Sequence, residues 1–235
     1  MDNHIYLTGD THGDVKRIVW FCEKHPFLTK DDYIIILGDA GLNYYQTIND
    51  MIAKNMLQKC PCTFICIHGN HEERPRNIAS YKKVYIEALG CNCWVEDEYP
   101  NILFPEDGLM TIYGITFLVM GGAYSVDKYY RLMHGWHWFE SEQMSDEDMN
   151  RIRELVKTTN KFDYVLSHTA PLKFEPTHLF LRGLDQSKVD KRMERFLDEI
   201  EEKISYKHWF FGHYHADEQL NDKARLMFND FIKII

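Results

Sequence analysis

Side chains that commonly bind metal ions recur in five short blocks along this chain. The blocks are Gly9-Asp10-Thr11-His12-Gly13, Gly38-Asp39, Gly69-Asn70-His71-Glu72, Ser167-His168 and Gly212-His213-Tyr214-His215. Carboxylate, amide and imidazole groups together suit manganese, iron, zinc or nickel, whereas a calcium site would use oxygen ligands only. The pattern therefore predicts a metal-centred active site.

The candidate ligands are too many for one tetrahedral ion. They are Asp10, His12, Asp39, Asn70, His168, His213 and His215. Two ions that share one carboxylate would use this set and leave positions for water and substrate. A pair of metals roughly 3.5–4 Å apart can clamp a phosphoryl group and activate a water molecule for attack. The ligand count thus favours a dinuclear centre that hydrolyses phosphate esters.

Each block comes at the end of a short apolar run, as in Ile5-Tyr6-Leu7 before the first block. Such runs are typical of buried strands, and polar residues at strand ends meet at one edge of a sheet. Apolar periodicity predicts helices at about 14–25, 45–59, 145–159 and 187–204, with Ser145 as the N-cap of the third. We expect hairpins over 110–120 and 224–235, and mixed sheets covered by helices.

Bulk properties place the chain among soluble globular proteins. It has 235 residues, 45% of them hydrophobic and 27% charged, and we expect one domain over residues 1–235. No apolar stretch approaches the roughly 18 residues of a membrane span, so we predict a cytoplasmic protein without a membrane partner. The six cysteines are expected to be free thiols. The net charge of −9 disfavours long duplex nucleic acid as a partner.

The five blocks and their order resemble the motifs of calcineurin-like metallophosphoesterases, and the resemblance covers nearly the whole chain. In one-letter code the blocks are GDTHG, GD, GNHE, SH and GHYH. The resemblance implies one metal held by Asp10, His12 and His215, and a second held by Asn70, His168 and His213. Asp39 would bridge the two ions, for which manganese is the favoured metal. His71 corresponds to the histidine that faces the substrate and either protonates the leaving group or stabilises the phosphoryl oxygens. The expected fold is a four-layer αββα sandwich with two central mixed β-sheets.

One position departs from the family pattern. Many members carry a second aspartate three residues after the bridging one, where it orients the histidine of GNH, and this chain has Leu42 there. Asn43 or Glu72 could substitute for the missing carboxylate. The stretch from Gly121 to Arg131 also resembles a segment of small bacterial and phage-borne members of the superfamily.

Aromatic residues are concentrated in residues 123–142, and two interpretations of this segment remain open. The rings could pack an irregular segment onto the core, or the segment could recognise substrate. In the second case Arg131 would contact a phosphate oxygen through its planar guanidinium. In the competing account Arg131 forms a structural ion pair with Asp127, four residues earlier.

The sequence favours a phosphomonoesterase acting on a phosphoprotein or a nucleotide, with His71, Asp39 and Arg131 as catalytic residues. A phosphodiesterase acting on cyclic nucleotides or short single-stranded nucleic acid is the alternative. The resemblance gives it support through His215, because a second histidine in the last block, which completes the coordination of both metals, looks common among phosphodiesterases and nucleases of this superfamily. A non-catalytic scaffold that retains the fold is the third hypothesis, and Leu42 is its only support in the sequence.

Overall fold

The computed structural model describes residues 3–183 and 185–235. The helices are α1 (Lys16–Lys24), α2 (Ile48–Gln58), α3 (Lys128–Met133), α4 (Asp146–Thr158) and α5 (Arg192–Glu201). The strands are β1 (Ile5–Thr8), β2 (Tyr33–Ile36), β3 (Thr63–Cys66), β4 (Tyr81–Ile86), β5 (Cys91–Glu96), β6 (Ile102–Pro105), β7 (Gly108–Ile112), β8 (Ile115–Met120), β9 (Tyr164–Ser167), β10 (His208–Phe211), β11 (Glu218–Gln219), β12 (Ala224–Leu226) and β13 (Ile232–Lys233).

The strands form two mixed sheets. The first has the order β13-β1-β2-β3-β6-β5-β4, and its strands β1, β2, β3 and β6 run parallel. The second has the order β11-β12-β10-β9-β8-β7, and β8, β9, β10 and β12 run parallel. The parallel strands occupy the middle of each sheet, so their carboxyl ends lie side by side.

Burial on both faces of the strands produces a four-layer sandwich. Ile34 and Ile36 of β2 belong to the apolar cluster beneath α1 and α2. Ile35 of β2 and Leu37, the residue after the strand, belong to the cluster between the sheets. Helices α4 and α5 cover the other face of the second sheet, where Ile152 and Leu197 are among the buried residues. The alternation follows from the two-residue period of a strand. The predicted αββα architecture is confirmed.

All four predicted helices lie within their expected ranges, as α1, α2, α4 and α5, but α5 begins later than predicted. Residues 186–188 form a separate 3₁₀ turn before α5 begins at Arg192. The carboxylates of Asp185 and Asp190 accept hydrogen bonds from the backbone N–H groups of Ser187 and Arg192. These side-chain bonds compete with helical ones, and the early start of the predicted helix was wrong for that reason.

The hairpin predicted over 110–120 is confirmed as β7 and β8, joined at Tyr113-Gly114. The prediction of a hairpin over 224–235 was wrong, because β12 and β13 belong to different sheets. β12 pairs with β10 and β11, whereas β13 pairs with β1. The segment that connects β12 to β13 contains Phe228, Asn229 and Asp230. Their backbone N–H groups donate hydrogen bonds to the Asp217 carboxylate, which fixes the path of the chain from one sheet to the other.

The six cysteines are buried free thiols, as predicted. Within the described ranges, the helices lack the length and apolar character that crossing a bilayer requires.

Candidate metal centre

The candidate ligands come together at one edge of the sandwich because each follows a parallel strand. Asp10, Asp39 and Asn70 come after β1, β2 and β3 of the first sheet. His168 and His213 come after β9 and β10 of the second sheet. Neighbouring parallel strands bring their carboxyl ends to the same edge, and the two sheets face each other there.

Asp10, His12 and His215 form what we call the first ligand cluster. Nε2 of His12 lies 2.9 Å from Nε2 of His215, and Oδ2 of Asp10 lies 3.3 Å from the latter atom. The Asp10 carboxylate is fully buried, whereas both imidazoles reach the surface. The three ligand atoms are close enough together to hold one metal ion.

Asn70, His168 and His213 form the second ligand cluster. Oδ1 of Asn70 lies 2.9 Å from Nε2 of His168 and 2.9 Å from Nδ1 of His213. Oδ2 of Asp39 is 3.5 Å from Nε2 of His168 and 3.9 Å from Nδ1 of His12. Asp39 therefore lies between the two clusters, and the carboxylate of Asp10 is also within 4.8 Å of ligand atoms of Asp39 and His168.

Hydrogen bonds behind the second cluster orient its ligand atoms. Nδ1 of His168 donates to the carbonyl oxygen of Leu37 at 2.8 Å, which directs Nε2 at the cluster. Nδ2 of Asn70 donates to Oγ of Ser125 at 2.8 Å, which turns Oδ1 the same way. With their other polar atoms engaged in this way, Nε2 of His168 and Oδ1 of Asn70 both face the cluster, and imidazole and amide donors of this kind fit a divalent metal.

Four ligands have left-handed backbone conformations, which are rare for residues other than glycine. The φ angles are 48° at His12, 47° at Asp39, 70° at His213 and 51° at His215. Strained residues of this kind cluster at functional sites, where the surrounding fold holds them. The site is thus shaped before any ligand arrives.

Gly38 permits the close approach of the two sheets at the site. Its φ is +92°, and a Cβ atom there would lie 2.0 Å from Nδ1 of His168. A larger residue would push away the histidine that faces Asp39. The glycine before Asp39 in the second sequence block is explained by this contact.

The partners of Asp39 keep its carboxyl group ionised. Burial alone would raise the pKa of Asp39, but the facing His168 ring, with His71 and His12, brings that pKa well below its ordinary value. The same pairing raises the pKa of His168. Burial would lower that pKa, but the negative charge of Asp39 raises it to about 9. Because a metal ligand must be unprotonated, an ion would displace this proton when it binds.

His71 lies beside the clusters without joining them. Its backbone N–H donates to Oδ1 of Asp39 at 2.7 Å, and its ring packs edge-on to His12 with centroids 5.3 Å apart. Burial lowers the pKa of His71 more than the charge of Asp39 raises it. The ring is partly exposed and faces two cavities that open at the metal site.

The Arg131 guanidinium is directed at protein partners. Its side chain is 1% exposed, and Nη2 lies 2.7 Å from Oε1 of Glu142. Nη1 donates to the carbonyl oxygen of His137 at 3.1 Å. Nε lies 3.1 Å from Oδ1 of Asp127, so the ion pair that the sequence raised as the competing account is present.

Neither residue suggested as a substitute orienter for His71 points at its ring. Leu42 is fully buried in the apolar cluster beneath α1 and α2. Oδ1 of Asn43 accepts a hydrogen bond from the hydroxyl of Tyr81 at 2.8 Å. Oε1 of Glu72 accepts the N–H of Gly69, and burial, followed by the charge of Asp39, raises the pKa of Glu72 to about 8.

Two cavities flank the ligand clusters and share His12, His71 and Asp127. The first, here the Tyr214 cavity, has a volume of about 340 Å³ and is walled by Tyr124, Phe180 and Tyr214, among others. The second, the Trp136 cavity, has a volume of about 600 Å³. Its wall includes Tyr44, Tyr45, Trp136 and His137.

The sequence interpretation missed Asp127, Phe180 and Tyr214 as site residues. Asp127 was considered only as a partner for Arg131. Tyr214 lies between two ligands in the fifth block, and that position could have indicated it. Phe180 comes from a segment with no local signal.

The family model of the calcineurin-like phosphoesterases matches residues 4–217. The chain belongs to this family. It is accordingly a metal-dependent phosphoester hydrolase, and the family implies a dinuclear site for divalent ions. No curated protein matches the sequence.

Solved structures support the fold alone. TT1561 of Thermus thermophilus has a TM-score of 0.52 at 15% identity, with 96% of this chain and 89% of that chain covered. A phosphopantetheinyl hydrolase from Mycobacterium tuberculosis has a TM-score of 0.51 at 14% identity, with coverage of 97% and 88%.

Proposed function

We propose that this phosphoester hydrolase acts on a phosphodiester whose two substituents occupy the Tyr214 cavity and the Trp136 cavity. The observation that carries the proposal is the presence of a cavity on each side of the ligand clusters, joined at His12, His71 and Asp127. A phosphomonoester has one substituent and would fill only one of them. The aromatic walls suit planar or apolar substituents, including nucleobases.

The charges that line the cavities also favour a diester. A phosphomonoester carries nearly two negative charges at pH 7, whereas a diester carries one. Lys191 and Arg131 are the cationic side chains among the described lining residues. Nζ of Lys191 lies 2.6 Å from Oε1 of Glu175, and Arg131 is paired with Glu142. Both side chains are thus paired with protein carboxylates, so beyond the two metal ions the described lining residues offer no unpaired lysine or arginine for a second phosphate charge.

We assign Asp10, His12 and His215 to one metal and Asn70, His168 and His213 to the other, with Asp39 shared. When bound, two divalent ions neutralise charge on the phosphoryl oxygens and increase the acidity of water. A set of oxygen and imidazole donors without a thiolate suits manganese, iron, zinc and nickel, and manganese is kept as the metal that the sequence favoured.

The residues around the clusters would position the substrate and its leaving group. The His71 ring lies where the two cavities meet, so it would face the ester oxygen that leaves. Arg131 is assigned a positioning role, because its three nitrogens are directed at Asp127, Glu142 and the His137 carbonyl. The substrate contact that the sequence suggested for Arg131 stays a prediction.

The ester class is tested with bis(4-nitrophenyl) phosphate and 4-nitrophenyl phosphate, each assayed with manganese, nickel, zinc and iron. We expect kcat/KM for the diester to exceed that for the monoester by about tenfold or more, equivalent to about 1.4 kcal/mol. Trp136→Ala should reduce kcat/KM for the diester more than for the monoester, because it opens the wall of one cavity. A preference for the monoester, unaffected by Trp136→Ala, would support the phosphomonoesterase that the sequence favoured.

A further inference from the structure

Asp127 has a carboxylate oxygen that points toward the catalytic site without a conventional partner. Oδ1 lies 3.9 Å from Nε2 of His71 and 3.1 Å from Nε of Arg131. It is buried, and it accepts no hydrogen bond from any residue in the described part of the chain. Buried carboxylate oxygens are normally hydrogen-bonded, so one without a bond at a site calls for an explanation.

The Asp127 side chain also lacks the hydrogen bond that is usual for its position in the backbone. Asp127 is the N-cap of α3, where an aspartate ordinarily accepts a hydrogen bond from the backbone of the first turn. Its side chain makes no such bond. The carboxylate instead contacts the side chain of Arg131 and faces His71.

Arg131 and Glu142 hold Asp127 in this orientation. The Arg131 guanidinium is almost fully buried, and Glu142, itself buried, binds its far side at 2.7 Å. The arginine cannot swing away from Asp127 without breaking this inner ion pair. Oδ1 is therefore held between a fixed cation and the edge of the His71 ring.

We propose that Asp127 is the positioning residue for His71 and takes the orienting role of the aspartate that Leu42 replaces. A small rotation of the His71 side chain would close the 3.9 Å separation to a hydrogen bond. That bond would fix the ring plane and the tautomer and direct the other ring nitrogen at the leaving oxygen. The inference rests on the proposed function, because it concerns proton donation to the leaving group of a phosphate ester.

The kinetic test uses two diesters that differ only in the leaving group, methyl 4-nitrophenyl phosphate and methyl phenyl phosphate, with manganese-loaded protein. Nitrophenolate leaves without protonation, whereas phenolate benefits from a proton donor. Asp127→Asn should lower kcat for the phenyl ester about 10–100-fold while changing the nitrophenyl ester by less than about 3-fold. KM and bound manganese should stay at the wild-type values. Glu140→Gln, an exposed change in the same segment, is the matched control and should leave both rates unaltered.

A double-mutant cycle tests whether Asp127 acts through His71. In a His71→Ala background, Asp127→Asn should cause no further loss on the phenyl ester, because the residues act as a unit. In zinc-loaded protein, Asp127→Asn should also shift the ¹⁵N NMR resonances of the His71 ring, whereas Glu140→Gln should not. This second readout does not depend on turnover.

The outcomes separate the inference from the proposed function. Equal losses on both esters, or additive losses with His71→Ala, would show that Asp127 is only a counter-ion for Arg131 and would overturn the inference alone. Wild-type protein that does not hydrolyse these diesters would overturn the proposed function, whether or not it hydrolyses the corresponding monoesters. An unchanged His71 spectrum in Asp127→Asn would reject the contact itself.

Discussion

The two oxygens of Asp39 have different partners, and this division makes the residue central to the site. Oδ1 accepts the N–H of His71, while Oδ2 faces His168 and His12 from opposite ligand clusters. The backbone bond fixes the rotation of the carboxylate. The second oxygen is thereby held where ions on both sides can reach it.

Asp39→Asn should lower both metal content and turnover, because a neutral amide can no longer neutralise two cations at once. We expect kcat to fall about 100-fold or more, with less than the wild-type complement of bound metal. Elemental analysis of purified protein and steady-state kinetics measure the two quantities. Asp31→Asn, which alters an exposed aspartate, is the control. Full metal occupancy with normal turnover in Asp39→Asn would reject the shared-ligand assignment.

Arg131→Ala should destabilise the protein, because it leaves the buried Glu142 without its ion-pair partner. Removal of one member of a buried pair costs about 3–5 kcal/mol. Arg131→Lys should fall between the wild type and alanine, since a point charge cannot make all three contacts. Chemical denaturation measures the effect, with the exposed Arg182→Ala as the control. Unchanged stability together with a raised KM would instead establish the substrate contact.

At the scale of elements, local hydrogen bonds decide where α4 and α5 begin. The Ser145 hydroxyl oxygen accepts the N–H of Asp148 at 3.1 Å, which starts α4 at the predicted place. Asp190 makes a similar bond to Arg192 and delays α5. Both helices cover the outer face of the second sheet, whose strands carry His168 and His213.

Ser145→Ala should reduce the free energy of unfolding by about 1 kcal/mol, since a backbone N–H at the start of α4 loses its acceptor. Ser145→Thr retains a hydroxyl oxygen and should recover most of this loss. Urea denaturation at pH 7 measures both variants. Equal destabilisation by alanine and threonine would show that packing at Ser145, rather than the cap, matters.

At the scale of the whole molecule, three buried glutamates make the folding free energy depend on pH. Burial is the largest cause in each case, and it raises the pKa of Glu72 to about 8 and those of Glu142 and Glu194 to about 7. Folded-state pKa values above the unfolded ones mean that the folded protein holds these protons more tightly. Their contribution to stability is present below about pH 4.5 and is lost as the pH rises through 7 to 8.

Glu194→Gln should weaken this dependence on pH. Relative to wild type, the variant should gain about 1–3 kcal/mol in stability between pH 5 and pH 8, because glutamine carries no charge to bury. Denaturation curves at the two pH values measure the change, and the exposed Glu147→Gln should show no such gain. A variant that follows the wild-type curve at both pH values would show that Glu194 is not buried as a charge.

Short-range patterns in the sequence determined which residues are the candidate ligands and which strands carry them. Apolar runs followed by Asp10, Asp39 or His168 identify strand ends from a few consecutive residues, and strand ends meet wherever parallel strands pair. The two mixed sheets and the four predicted helices follow from the same local periodicity. The prediction of one domain over residues 1–235 stays a prediction.

Only the tertiary structure decided which groups meet across long separations in the chain. The approach of Asp127 to His71 joins residues 56 positions apart by their numbers, and no periodicity encodes it. The burial of Arg131 depends on its ion pair with Glu142, eleven residues later in the chain. The placement of β12 in one sheet and β13 in the other depends on β13 finding a place at the edge of the first sheet, beside β1. Contacts of this kind arise from packing between elements, so the sequence alone could supply the ligands but not the groups that position them.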